Sequence, residues 1–434
     1  MKKISAALKK LFHYFARMID AFFAVFLLLI VFLGYKLKFV TKKKSRNNHE
    51  IAILRLGISD LESIYKKFGD FNQYFLHTIP NVTKLVVGSC VSRKNNLFIR
   101  LRDDYVIMET ILLRKARLMS LAYYFIRHFK VIHKYNITII HANDPYFAGL
   151  LGLLLARIAG LPFCVSIHTD YDHSERLHPG SLPKLLNSID FTRAVERFVY
   201  HRASLILPIR EHLKIDIIKK GIQEDKIEVF HHGLDLQKFN ESMDDTIIKK
   251  YDIPKNAKLV FFAGRADKVN YIHEIIDIAL KTVEMFSDAY FIIAGNGNEL
   301  NAIKLIASGS KYSNRILLPG MIHNSHVCEL RKFATVNICL AGGFSLIEAC
   351  AAGTPVIAYD VAWHYELIQN NETGILVEEH DVEAVLNGIT FIFSNPQEAS
   401  RMALNARQLA FERHNLEQSN ATKAAIYRRL LRMI

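Results

Sequence analysis

The stretch LAGGFSLIEACAAGTPVIAYD, residues 340–360, holds the densest local chemistry in the chain. An apolar run ends near Leu340, Gly342 and Gly343 follow, and SLIEACAA has the composition of a helix with Ser345 as its expected N-cap. Paired glycines at a helix start let a phosphate approach bare backbone N–H groups, at the end where the helix dipole is positive. Glu348 lies three residues past Ser345. Two roles are open to it: the glutamate of a capping box, or a carboxylate accepting hydrogen bonds from ribose hydroxyls. Gly353-Thr354-Pro355 then closes the helix and opens the next apolar run.

The elements that must hold these residues follow from the hydrophobic pattern. IAILRL (51–56), TKLVVGS (83–89), ITIIHA (137–142), FCVSIH (163–168), ASLILPI (203–209) and IEVFHH (227–232) read as buried strands. Helical stretches lie between them, among them 111–134 and 146–159. After a polar linker at 240–256 the pattern restarts with KLVFFAG (258–264), AYFIIAG (289–295), RILLPG (315–320), TVNICLA (335–341) and TPVIAYD (354–360). Apolar strands alternating with helices imply parallel sheets covered on both faces. The fold class is therefore α/β, with two Rossmann-like, doubly wound domains in tandem. In such sheets ligands bind beyond the carboxyl ends of the strands, so a cleft between the two domains is the expected site.

Charge is unevenly spread. Residues 1–46 contain eleven Lys or Arg and one acid, Asp20, a net +10 out of +14 for the whole chain. This local excess does not argue for nucleic acid. It flanks Ala21–Tyr35, fifteen residues without charge, which as a helix rise about 22 Å against a hydrocarbon core of roughly 30 Å. Upstream, Ile4, Leu8, Leu11, Phe12, Phe15 and Ile19 fall at helical spacing, with Lys2, Lys3, Lys9 and Lys10 off that stripe. Residues 1–46 thus read as a membrane anchor, spanning or lying on an anionic surface, with the body on the cytoplasmic side. Helix 111–134 interleaves Arg114, Lys115, Arg117, Arg127 and Lys130 with Tyr123, Tyr124, Phe125 and Phe129, which suits a solvated amphipathic helix or a surface that meets anionic lipid. The five cysteines are scattered and lack a CxxC, which excludes a disulfide framework and suits a reducing compartment.

Taken in order, these segments resemble family 4 retaining glycosyltransferases, over most of residues 51–420. LAGGFSLIEACAAGTPVIAYD is similar to that family's C-terminal signature. HANDPYFAGLLGLLLARIAGLPFCVSIH (141–168) resembles its N-domain segment ending in a motif histidine, here His168, and KIEVFHHGLDLQKF (226–239) its interdomain element, with His232 where Asn is usual. FFAGRADKVNY (261–271) and IIAGNGNE (292–299) occupy the positions of its phosphate and nucleotide loops. The resemblance implies a GT-B fold of two facing Rossmann-like domains. After the anchor (1–46) read from charge and hydropathy, it divides the chain into an acceptor domain (47–239), a nucleotide-sugar domain (240–415) and a C-terminal helix (416–434) that packs back on the N-domain. A hinge at 232–256 would close the cleft and exclude water.

The resemblance further implies a site. His168 and Glu348 are the catalytic candidates. Gly69, Arg265, Lys268, Gly295, Gly297, Gly342, Gly343, Phe344 and Ser345 would hold the donor and its phosphates, with no metal and no cofactor beyond the nucleotide-diphosphate sugar as co-substrate. Arg265 and Lys268 would neutralise the leaving diphosphate while the Gly342–Phe344 amides hold it. Three positions depart from the family. The first of its two motif glutamates falls on Leu340, its usual lysine falls near Asn270 with Lys268 two residues early, and its N-domain Gly-Gly loop is reduced to Gly69. Asp170-Tyr171-Asp172 is a DxD, which binds a divalent cation in transferases of another fold; here it follows a Rossmann strand and reads as a cap or acceptor contact. Gly295-x-Gly297 has Leu300 where a dinucleotide fingerprint needs its third glycine. The expected function is a membrane-associated, metal-independent retaining glycosyltransferase acting on a lipid-linked or cell-surface glycan acceptor. A non-catalytic nucleotide-sugar-binding protein and a nucleotide-sugar epimerase are the alternatives.

Overall fold

Apolar runs too short for helices and buried on both faces can satisfy their backbone only by pairing with one another, and this sets the architecture. The computed structural model describes residues 18, 19, 22, 50–57, 79–91, 97–102, 105–111, 117–172, 175, 182, 188–241 and 246–433. The chain divides into two units, residues 1–230 with 420–434, and residues 231–419.

Unit 1 is built on β1 (Ile51–Gly57), β2 (Val82–Val91), β3 (Leu97–Arg102), β4 (Tyr105–Ile111), β5 (Ile139–Ala142), β6 (Phe163–Ile167) and β7 (Leu205–Pro208), in the order β3-β4-β2-β1-β5-β6-β7. All neighbours are parallel except β3 and β4, which form an antiparallel edge. Helices α1 (Arg117–Lys134), α2 (Phe147–Ala159), α3 (Ile189–Arg202) and α4 (Glu211–Lys219) connect them. Two expectations are corrected here. The helix proposed for 111–134 is described as Arg117–Lys134, and Ile111 belongs to β4 instead. IEVFHH makes one bridge, Ile206 to Ile227, and no further strand.

Unit 2 holds β8 (Lys258–Ala263), β9 (Ala289–Ala294), β10 (Ile316–Gly320), β11 (Val336–Cys339), β12 (Val356–Tyr359) and β13 (Ile375–Val377), in the order β10-β9-β8-β11-β12-β13, all parallel. Its helices are α5 (Thr246–Lys250), α6 (Ile272–Met285), α7 (Leu300–Ser308), α8 (Asn324–Phe333), α9 (Phe344–Ala351), α10 (Val382–Ser394) and α11 (Pro396–His414). A last helix, α12 (Leu416–Arg432), leaves unit 2 and contributes Ile426, Tyr427 and Leu430 to the core of unit 1.

Strand order fixes where ligands can enter. In each sheet the chain winds outward from a central strand, returns, and winds out the other way. The two connections diverge between β1 and β5 in unit 1, and between β8 and β11 in unit 2. Doubly wound sheets receive their ligands at the carboxyl ends of such strand pairs. The anchor expected over residues 1–46 lies outside the described residues apart from Met18, Ile19 and Phe22, and among the described residues no helix is long and apolar enough to cross a membrane.

Candidate active site

At the β8/β11 switch point, β11 runs through Leu340 into Gly342-Gly343 and then α9. The N-cap of α9 is Gly343, with no side chain capping it. A Cβ built on Gly343 would meet nothing within 4 Å, so the helix start faces open space. Gly342 differs: a Cβ there would stand 2.7 Å from Leu346 Cβ, and its N–H donates to His364 Nε2 at 3.0 Å. His364 Nδ1 in turn donates to the Tyr359 carbonyl at 2.7 Å, which leaves Nε2 as the acceptor. A buried imidazole therefore fixes the loop from below.

Ser345 is not the N-cap expected from sequence. It sits in the first turn of α9, its hydroxyl donating to the Ala263 carbonyl at 2.8 Å and accepting from Arg331 Nη2 at 2.7 Å. This ties α9 to the end of β8 and takes the hydroxyl away from any phosphate. Arg331 is 1% exposed and also reaches Asn337 Oδ1 at 3.3 Å. The capping-box role for Glu348 falls with the cap. Its carboxylate instead pairs with Lys238 Nζ at 2.7 Å, both side chains being mostly buried. Burial works against the Lys238 ammonium, but Glu348 and the Cys328 thiol outweigh it and the pKa is raised. Phe344 is exposed and meets the His232 ring edge-on, 5.5 Å between centroids.

The neighbouring loops share this edge. Arg265 is largely exposed and pairs loosely with Asp267, 3.4 Å away. Lys268, also exposed, lies in a 3-10 turn at Lys268–Asn270. Asn270 occupies the family's lysine position and staples the loop, its Nδ2 donating to the Arg265 carbonyl at 2.9 Å and to Asp267 Oδ1 at 3.1 Å. Gly295 and Gly297 serve close packing. Gly295 has φ +142°, and a Cβ on it would stand 1.7 Å from the Gly264 carbonyl oxygen; a Cβ on Gly297 would stand 2.3 Å from that of Ala266. Leu340 is fully buried in the apolar core and presents no group to a ligand.

His168 belongs to unit 1 and Gly69 lies outside the described residues. His168 Nε2 meets Ser166 Oγ at 2.8 Å, Ser166 Oγ meets His141 Nε2 at 3.0 Å, and His141 Nδ1 meets Tyr427 Oη at 2.7 Å. Burial, then the charges of Arg55 and Lys423, push His168 down to about 3, so the ring is neutral near pH 7 and exchanges hydrogen bonds without carrying charge. Asp170 and Asp172 line a 400 Å³ cavity between the β6 end, α3 and α4. Asp172 is engaged there by Arg193 at 3.0 Å and Lys220 at 2.8 Å. Among the described residues no group of three or more His, Cys, Asp or Glu could hold a metal ion.

The structure thus gathers Arg265, Lys268, Gly295, Gly297, Gly342, Gly343, Phe344, Ser345 and Glu348 along one edge of unit 2. Lys238, Arg331 and His364 were not found from sequence. Lys238 stands beside Phe239 in the interdomain element, where a charge one residue before a buried aromatic was the available signal. Arg331 sits among Lys and Phe in a helix of ordinary composition and gave none.

Profiles of two families match the chain: glycosyltransferase family 4 over residues 89–238, and glycosyl transferases group 1 over residues 243–409. An alpha-D-kanosaminyltransferase of Streptomyces kanamyceticus is 20% identical over 300 residues, 67% of this chain and 76% of that protein. The alpha-monoglucosyldiacylglycerol synthase of Streptococcus pneumoniae is 23% identical over 277 residues, 60% of this chain and 61% of that protein. Anabaena HepE in complex with UDP superposes with a TM-score of 0.67 at 17% identity, covering 87% of this chain and 99% of that one, and HepE has also been solved with UDP-glucose.

Proposed function

We propose that this chain, a member of glycosyltransferase family 4 with the GT-B fold, transfers sugar from a nucleotide sugar as a membrane-associated, retaining, metal-independent enzyme with a lipid-linked or cell-surface glycan acceptor. One observation carries the donor side. The N-terminus of α9 is uncapped and open at Gly343, at the switch point of its sheet, with Arg265, Lys268 and Glu348 on the same edge. A diphosphate placed there meets backbone N–H groups at the positive end of a helix dipole, and Glu348 lies one helical turn further on, at the reach of a ribose hydroxyl.

In the proposed reaction the bond from the sugar's anomeric carbon to the diphosphate oxygen breaks as the acceptor hydroxyl attacks the same face. The acceptor proton passes to the leaving phosphate. Arg265 and Lys268 balance the charge that collects on that phosphate, and His168 hydrogen-bonds sugar or acceptor in its neutral form. The membrane part of the proposal rests on the basic, apolar residues 1–46, and it places the body on the cytoplasmic side. That the monoglucosyldiacylglycerol synthase matches this chain supports an acceptor lying in a bilayer.

A thermal-shift screen of the purified chain against UDP, GDP, ADP and dTDP tests the donor site, because a ligand that binds only the folded state raises the midpoint by mass action. One diphosphate is expected to raise it and Arg265→Ala to lose most of that shift. An unchanged shift in Arg265→Ala removes the phosphate assignment. With Leu340 buried where the family motif has its first glutamate, a binding protein without turnover is the second reading. Release of free sugar or transfer product from the matching nucleotide sugar decides against it.

A further inference from the structure

Unit 1 carries a second concentration of charge at its own switch point. Strand register places Arg55 of β1 opposite His141 of β5, and His141 opposite Cys164 of β6. Alternate residues of a strand share a face, so Ser166 and then His168 continue from Cys164 on that side. α12 covers this face: Tyr427 Oη lies 2.7 Å from His141 Nδ1, and Lys423 stands one helical turn before Tyr427 on the same side of the helix. Arg55, Lys423 and His168 remain partly exposed, so the cluster opens to solvent.

Every fixed charge in this cluster is positive. Arg55 Nε donates to Asn143 Oδ1 at 2.8 Å, and the Lys423 ammonium has only the Phe230 ring, 5.2 Å from its centroid. Among the described residues neither has a carboxylate partner. Burial, then the Arg55 charge, pushes Lys423 down to about 8, so the fold holds the two cations together at a cost. Half-buried like charges do not stabilise a fold on their own; they are favourable when a counter-ion arrives with a ligand. The β1/β5 edge is also where a doubly wound sheet receives one.

We infer that unit 1 binds a phosphate group of the acceptor substrate, with the Arg55 guanidinium and the Lys423 ammonium as counter-charges and the His168 imidazole as a hydrogen-bonding partner. Two cations match a phosphate dianion, whereas a single carboxylate would leave one of them unpaired. Calling the phosphate the acceptor's rests on the transferase reading above; the anion site itself does not.

The test is calorimetric titration of the full chain with inorganic phosphate, acetate and UDP, in wild type, Lys423→Met, Lys423→Arg and Arg55→Gln. Phosphate is expected to bind wild type more tightly than acetate does. Lys423→Met and Arg55→Gln should weaken phosphate by roughly tenfold or more, Lys423→Arg should retain it, and UDP affinity should stay within about twofold throughout. Above the pH at which inorganic phosphate is already a dianion, wild-type affinity should fall as Lys423 loses its proton near pH 8, while Lys423→Arg stays flat, with Arg55, His141, Cys164, His168 and Tyr427 as the other titratable groups facing the site. Unliganded Lys423→Met should melt no lower than wild type, which separates lost binding from lost folding. Equal phosphate binding in wild type and Lys423→Met, or acetate binding as tightly as phosphate, overturns the proposal. Lysine-dependent phosphate binding in a chain that binds no nucleotide would sink the transferase reading and leave the anion site standing.

Discussion

Glu348 shows how one residue's role changes once its partners are known. From sequence it was a capping glutamate or a ribose acceptor. The structure gives the cap to Gly343 and hands Glu348 to Lys238. A carboxylate held on one oxygen by an ammonium still offers its other lone pairs to a ligand, and the pairing restricts its rotamers, so Lys238 acts as a positioning residue. Lys238→Met should weaken UDP by about tenfold and leave inorganic pyrophosphate, which has no ribose, unchanged. Glu348→Gln should do the same, and the double variant should be no worse than Glu348→Gln alone, because both act through one contact. Additive losses would mean that Lys238 contacts the ligand itself. Stability should drop by about 1–3 kcal/mol in Lys238→Met, between the limits for exposed and fully buried pairs. The sequence made Gly342, Gly343 and Glu348 legible because close approach and helix position are local properties. It hid Lys238 and Arg331 because their partners are 110 and 14 residues away, and no spacing rule links them.

At the scale of elements, the central strands were readable because burial on both faces leaves a continuous apolar run, as in IAILRL and LVFFA. The strands β3 and β4 were missed because LFIRLR, at the sheet edge, alternates in polarity and YVIMETI, inside it, mixes polar with apolar residues, so neither is a continuous apolar run. The helix that follows has its own constraint. His128 of α1 is fully buried, its Nδ1 2.7 Å from the Tyr124 carbonyl, and a Cβ on Gly88 of β2 would stand 2.1 Å from its Nε2. Gly88 therefore exists to admit an imidazole. Gly88→Ala should cost about 1–3 kcal/mol as an overpacked contact against a ring with little room to move. Combining it with His128→Ala should recover most of that loss relative to His128→Ala alone, measured by urea unfolding. If the two losses simply add, the contact is not the reason for the glycine.

Across the whole chain, the two units should respond differently to pH, and the chain carries its own reporter. Its one tryptophan, Trp363, is buried in unit 2, so fluorescence follows that unit while far-UV circular dichroism follows both. In unit 1 burial lowers His128 to about 4, His168 to about 3, and His141 well below its ordinary 6.5. Each binds its proton more readily when unfolded, so each contributes stability that is present above pH 6.5 and is lost as pH falls toward the folded value. Asp144 opposes them: burial raises it from 3.8 to about 6, so the folded state takes up a proton first and gains stability as pH falls through 6. Three groups against one leave a net loss on acidification, beginning just below pH 6.5 where Asp144 is still ionised. Lys423 adds a rise at the other end, because its folded value near 8 lies below its unfolded 10.5 and stability climbs as pH passes from 8 to 10.5. In unit 2 His380 runs the other way, raised by its hydrogen bond to Glu274. On the alkaline side the buried Cys164 thiol, raised above its ordinary 9, opposes Lys423, so the test is made on the acid side: urea unfolding at pH 5.5 and 7.5 should show a dichroism transition whose midpoint falls on acidification, ahead of any matching change in Trp363 fluorescence. His128→Leu should shallow the acid slope by nearly one proton, since a neutral side chain of similar volume removes the site without the charge. A fluorescence transition that moved in step with the dichroism at every pH would show that the units unfold as one, and the acid loss would then belong to the chain as a whole.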